Sequence, residues 1–216
     1  MIHFSKKQIS ELPKLKRGAL MNGIGGVKPL NLIGSISENG HQNLAVFNSI
    51  VHIGSNPPLI GFILRPTTVE RHTYKNILTT KVFSVNQVNN SMFEKAHQTA
   101  ASYDRGISEF DAVGLTAEKI DPHKIPFVKE SKVKFACAYK NEYFIEENGC
   151  RLIIAEVLDI YSDNNIIEDN GFVNLEQAEA TGAIGLDAYV SLKLLDRLDF
   201  ARPNVSLKSL LKDGTS

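Results

Sequence analysis

Neither sign of charge is in excess: Lys and Arg together number 24, and so do Asp and Glu. A chain with no net field has no electrostatic footprint for nucleic acid or an anionic membrane, so binding through a basic face is excluded. Long hydrophobic runs are missing too. The opening stretch, MIHFSKKQISELPKLKRG, holds no apolar run that could serve as a signal peptide. No other stretch reaches the roughly 18 continuous apolar residues of a membrane helix. Cysteine is scarce, with only Cys137 and Cys150, both in strand-like runs. Either they face each other across a hairpin or they are two reduced, packed thiols. The six histidines are scattered without a spacing such as HxxxH, so no metal-ligand pattern stands out. By elimination, the expectation is a cytoplasmic protein.

Motifs of nucleotide binding and of nucleophilic catalysis are likewise absent. Gly23-Ile24-Gly25-Gly26 is glycine-rich, but it lacks GxGxxG spacing and follows no strand, so it reads as an approach loop. Neither a GxSxG elbow nor a Walker sequence occurs.

What is present is a β-rich pattern in 216 residues, enough for one domain with a sizeable core. Pro29 to Ser37 is apolar and partly alternating, and it ends at Glu38-Asn39-Gly40, a strong hairpin signal. The return run, Asn43 to Ile53, closes at Asn56-Pro57-Pro58, and Leu59 to Leu64 follows as an almost wholly apolar strand. Three strands in quick succession favour an antiparallel meander over βαβ units. Glu70 to Leu78 reads as a helix and Val82 to Val88 as a strand. Ser91-Met92-Phe93-Glu94 matches a capping box opening a helix through Ala101. Tyr103 to Ile125 reads as a long irregular segment.

Val133 to Ile145 and Arg151 to Tyr161 then form two long strands around a second Asn-Gly turn, Asn148-Gly149. Ile166-Ile167 suggests a short strand, Leu175 to Ala180 a helical turn, and Tyr189 to Phe200 a strand or a helix. Long strands bending around hairpins, with short helices between them, point to a closed barrel. A single domain is expected, its core spanning about residues 18–203 between polar arms.

Two polar stretches stand where the central strands end. One is Phe47-Asn48-Ser49, inside an otherwise apolar run. The other runs from Arg65-Pro66-Thr67-Thr68 to Arg71-His72-Thr73, at the start of a helix. A helix N-terminus flanked by arginines and hydroxyls suits a phosphate. The same residues also read as a helix capped by Thr67 or Thr68 beside solvated arginines. His97 is read as a solvated or capping histidine.

The stretch from Lys28 to Arg202 resembles the flavin reductase-like family of FMN-binding split barrels. The resemblance runs in order along the chain: Lys28-Pro29 with LNLIGSIS, Asn39-Gly40, and Asn43-Leu44-Ala45-Val46-Phe47-Asn48-Ser49. It continues through Ser55-Asn56-Pro57-Pro58-Leu59, Arg71-His72-Thr73-Tyr74-Lys75-Asn76-Ile77, Phe83-Ser84-Val85-Asn86, Glu109-Phe110, Gly114-Leu115-Thr116, Glu130-Ser131 and Ile154-Ala155-Glu156-Val157. It implies a mainly β fold with short helices: a six-stranded antiparallel Greek-key split barrel, paired as a homodimer with FMN near the subunit boundary. Carried over by position, Phe47, Asn48 and Ser49 line the isoalloxazine and ribityl chain. Arg71 and Thr73, with Arg65 and Thr67, hold the phosphate, and Tyr189 borders the flavin face. His72 stands where the family usually has Asp, and Asn48 where Ser is common. The implied activity is hydride transfer from NAD(P)H to flavin, with a flavin-accepting monooxygenase or another redox protein as partner. The alternative is a non-enzymatic FMN electron carrier like flavoredoxin.

Overall fold

The computed structural model describes residues 1–104 and 106–211. Two helices lead, α1 (Lys6–Glu11) and α2 (Lys14–Gly23), followed by β1 (Lys28–Pro29), β2 (Asn31–Ile36), β3 (Gln42–Phe47), β4 (Val51–Ser55) and β5 (Pro58–Leu64). Helix α3 (His72–Thr80) leads into β6 (Val82–Gln87). Then come α4 (Phe93–Gln98), α5 (Glu109–Val113), β7 (Ala117–Glu118), β8 (Phe127–Val128), β9 (Val133–Ile145), β10 (Cys150–Ser162), β11 (Thr181–Ile184) and β12 (Ala188–Ser191).

Seven strands form the main sheet, in the order β3-β2-β6-β9-β10-β5-β4. Every neighbouring pair is antiparallel. The barrel expected from the sequence is there, with one strand divided. Asn43 to Ile53 reads as one run, but it breaks between Phe47 and Val51 into β3 and β4. These two lie at opposite edges of the sheet, so a three-residue bend carries the chain from one edge to the other and brings the edges together. Ser49 ties that bend down: its hydroxyl accepts the Ile63 N–H at 3.1 Å and donates to the Ile63 carbonyl at 3.2 Å. A side chain thus replaces one rung of the backbone ladder.

Strand β2 buries both faces. Leu32 packs with Leu30, Leu44, Met92 and Phe110 beneath α4 and α5. Its neighbour Ile33 packs on the other side with Phe62, Phe83 and Ile153, as the two-residue period of a strand requires. Phe47, Phe62 and Phe83 continue that second core as edge-to-face rings, 5.2 and 5.8 Å between centroids.

The β2–β3 hairpin uses its glycine in a specific way. The Gly40 N–H bonds the Ser37 carbonyl, the Ser37 N–H bonds the His41 carbonyl, and Gly40 sits at φ 82°. This is a turn completed by a left-handed residue, the geometry that calls for glycine.

Several expectations are corrected. The N-terminal lead is helical, with Ser5 and Gln8 forming the capping box of α1. The box expected at Ser91 does not form: Ser91 donates instead to Asn89 Oδ1 at 2.7 Å, and α4 has no side-chain cap. The segment expected to be irregular, Tyr103 to Ile125, contains α5 and β7. Ile167 makes only an isolated bridge with Val173, residues 175–179 form turns, and from Tyr189 onward the strand stops at Ser191. Both cysteines are free; in the register of β9 and β10, Cys137 faces Val157 and Cys150 faces Ile145. No helix among the described residues is long and apolar enough to cross a membrane.

Candidate functional site

Helix α3 is held against the β2–β3 pair by two buried amides. Asn76 Nδ2 donates to Ser35 Oγ at 3.1 Å, and Asn43 Nδ2 donates to Thr73 Oγ1 at 2.9 Å. On its other side Tyr74 donates to Glu142, which also pairs with Arg151 at 2.6 Å. Burial and the Glu142 carboxylate push the Tyr74 phenol up to about 12. The helix is therefore fixed from both flanks, and with it the direction of its N-terminus.

That N-terminus opens on a cleft of about 510 Å³. Phe47, Asn48, Ser49, Arg65, Arg71, His72, Thr73 and Tyr189 all line it, so eight of the nine residues singled out by sequence come together. Thr67 does not line the cleft; it is exposed in the turn before α3. The N-cap is Arg71 and no side chain caps the helix, so neither Thr67 nor Thr68 serves as the expected cap. The Arg71 Nε is buried without a hydrogen-bond partner among the described residues. A buried guanidinium nitrogen without an acceptor is costly, and here it sits beside first-turn amides and the positive end of the helix dipole. The Thr73 hydroxyl accepts from Asn43 and keeps its own proton available.

The opposite wall comes from the far end of the chain. Asn48 Nδ2 donates to the Gly185 carbonyl at 2.9 Å, drawing the β11–β12 turn to the cleft. Tyr189 on β12 meets His97 on α4, with Nδ1 and the phenol oxygen 2.6 Å apart. Burial, then Asp187, raises the Tyr189 phenol above its ordinary value. His97 lines the cleft, a placement its local sequence does not reveal, because its partner lies 92 residues away.

Glu109 is the other residue that sequence reading passed over as a site residue. It is buried on the cleft wall, and its Oε2 accepts the N–H of Leu44 from β3, an edge strand of the main sheet, at 2.8 Å. Burial raises its carboxyl above the ordinary 4.5, against the pull of the Leu44 N–H and the nearby His72. The folded state then holds this proton more tightly than the unfolded chain does. Stability contributed here falls as pH rises from 4.5 through the raised folded value. Glu109→Gln keeps an acceptor for Leu44 and removes the titration. The variant's melting temperature should therefore rise relative to the parent as pH increases from about 4 to 7. Parallel melting curves across that range would show that Glu109 carries no such linkage.

An antiparallel barrel with a cleft at its bend, lined by an uncapped helix end and two arginines, defines a class of barrels with a site suited to an anionic group. The comparisons make the class specific. The flavin reductase like domain matches residues 27–176, and the chain belongs to that family. It is 40% identical to a Shewanella frigidimarina protein assigned as a flavin reductase with a split barrel domain. Their TM-score is 0.90, covering 93% of this chain and 100% of that one. It is 32% identical to an uncharacterised protein of Aquifex aeolicus, over 79% of this chain and 87% of the relative. Nitrilotriacetate monooxygenase component B from Bacillus cereus shares the fold at 22% identity, with a TM-score of 0.79 over 92% and 98% of the two chains.

Proposed function

We propose that the cleft binds FMN and that the protein is a flavin reductase passing hydride from NAD(P)H to that flavin. The observation that carries this reading is the buried, unpartnered Arg71 Nε beside the uncapped start of α3. A phosphate supplies the acceptor that both lack. The residues present fit the group. Arg71, Thr73 and the first-turn amides hold the phosphate, with Arg65 adding charge from the exposed rim. Phe47 offers an apolar edge, Asn48 lines the cleft with its Nδ2 committed to Gly185, and Ser49 fixes the bend that places both. Tyr189, braced by His97, borders the ring. The bound flavin supplies the two-electron chemistry. The side chains bind, orient and exclude water, and no general acid or base is assigned.

The reading includes a homodimer. Edge strand β4 exposes Val51 and Ile53, 47% and 45% accessible, and Leu158 and Ile160 stand exposed on β10. Edges and apolar patches of this kind call for cover. Reduced flavin would go to a monooxygenase or another redox partner, a reading supported by the fold shared with a monooxygenase component.

The test is direct. The purified protein should show flavin absorbance, or acquire it when FMN is added, and should then consume NADH or NADPH steadily with free FMN in air. Retained FMN without turnover would favour the electron-carrier reading. A colourless protein that binds no FMN would overturn both.

A further inference from the structure

The charges that cancel over the whole chain are not mixed along it. Residues 1–24 hold five Lys or Arg against a single acid, Glu11. Residues 141–179 hold ten Asp or Glu against a single base, Arg151. The first segment is the arm formed by α1 and α2. The second contains the β9–β10 turn, all of β10 and the loops after it.

The arm is ordered, yet it has no core of its own. Ser5 and Gln8 cap α1 reciprocally. Arg17 donates to the Ser10 carbonyl at 2.8 Å and the Leu12 carbonyl at 3.2 Å, which fixes the elbow between the two helices. No residue of either helix is buried, and Leu15 and Met21 are 86% and 48% exposed. The helices span six and ten residues, short of the roughly 12–15 that a helix needs in water without tertiary packing. Lys6, Lys14 and Lys16 are exposed and form no ion pair among the described residues.

The acidic segment has the opposite need. Strand β5 pairs with β10 only as far as Glu156, so from Val157 to Ser162 one edge of β10 has no strand partner among the described residues. Leu158 and Ile160 stand exposed on that stretch. Asp159 is held by His123, but Asp163 at the strand's end and Asp169 in the next loop are exposed without an ion pair among the described residues. An open edge with apolar side chains and free carboxylates is a surface that a basic, apolar segment covers.

Resting on the homodimer reading above, we infer that the α1–α2 arm of each copy docks on the acidic β10 face of the other. Charge complementarity selects the occupant: the basic arm meets its match in this chain's own 141–179 segment. Within one chain the arm leaves Leu158 and Ile160 uncovered and stays unburied itself, so the contact is made between copies. A two-fold pair makes it twice, with both arms and both faces engaged. The arm runs into β1, which pairs with β11. Docking therefore also anchors the strand whose turn, at Gly185, Asn48 holds against the cleft.

The experiment combines sedimentation of the full chain with zero-length crosslinking. The parent should sediment as a dimer whose dissociation constant rises with added salt. The triple variant Lys6→Glu, Lys14→Glu, Lys16→Glu should dissociate roughly tenfold or more readily, because like charges then face each other. Its circular dichroism should match the parent's, since the three side chains are exposed. A carbodiimide joins an amine directly to a carboxylate. Applied to an exchanged mixture of nitrogen-15 and unlabelled copies, it should link arm lysines of one copy to acids of residues 141–179 in the other. Links confined to single copies, or arm lysines joined to acids outside that segment, would overturn the inference. So would a dimer that the triple variant leaves equally tight. A parent that is monomeric at every concentration is a different result, and it removes the homodimer reading on which this one stands.

Discussion

Arg71→Ala should weaken FMN binding roughly 30- to 100-fold and leave riboflavin within about twofold, because charge-assisted hydrogen bonds to a phosphate are the strong kind. The asymmetry follows from position. Arg71 begins α3, its Nε is buried, and no protein acceptor reaches it. Removing the side chain removes a donor carried by the N-cap residue of α3, which is not among the buried core residues. The α3 amides remain, so binding should fall without vanishing. Arg71→Lys restores the charge but not the planar fork and should recover only part of the loss. Arg65 is exposed, so Arg65→Ala should change FMN affinity by less than about fivefold, and that smaller effect should fade with added salt. Fluorescence titration of both flavins against each variant reads all of this. Equal losses for FMN and riboflavin would mean that the phosphate does not sit at Arg71.

Much of this site was legible in the sequence, and the illegible parts share a physical cause. Asn39-Gly40 and Asn148-Gly149 announce hairpins because a left-handed glycine is a local requirement, met here at φ 82° and 71°. Apolar and β-branched residues mark β2, β6, β9 and β10 as strands, with β2 and β6 buried along nearly their whole length. The break after Phe47 is different. Asn48 and Ser49 look like two polar positions within one strand, and what bends the chain is the bond of Ser49 to Ile63 and of Asn48 to Gly185. Both are tertiary partners that no local window contains. The failed capping box at Ser91 repeats the lesson at short range, since Asn89 Oδ1 captures the hydroxyl first. Helices α1 and α2 bury no residue and so leave little hydrophobic period to read. Glu109 and His97 reach the cleft through Leu44 and Tyr189, contacts between segments far apart in the chain.

Gly34→Ala should be the most damaging small substitution in the barrel, lowering stability by about 3–5 kcal/mol. Gly34 lies in the middle of β2, paired with Leu44 on one side and Ser84 on the other. A Cβ there would sit 2.4 Å from the Pro126 carbonyl oxygen and 2.5 Å from Ser84 Oγ. The first of these is backbone and cannot swing aside. The second already donates to that same carbonyl at 2.5 Å, so relieving one clash breaks the bond that satisfies the other atom. Overpacking alone accounts for about 1–3 kcal/mol, and a carbonyl left unpaired in the core adds a similar amount. For a domain of this size the melting temperature should fall by roughly 10 °C. The same change at Gly18, inside α2 with nothing within 4 Å of the added carbon, should instead stabilise slightly, by about 0.5–1 kcal/mol. The pair separates steric occlusion from any general effect of losing glycine. Ser35, the next residue, accepts the Asn76 bond that anchors α3. A displaced β2 should therefore also turn the N-terminus of α3 and weaken FMN binding in whatever fraction of Gly34→Ala still folds. A variant that melts within about 2 °C of the parent would show that the backbone at Pro126 yields freely to the added carbon.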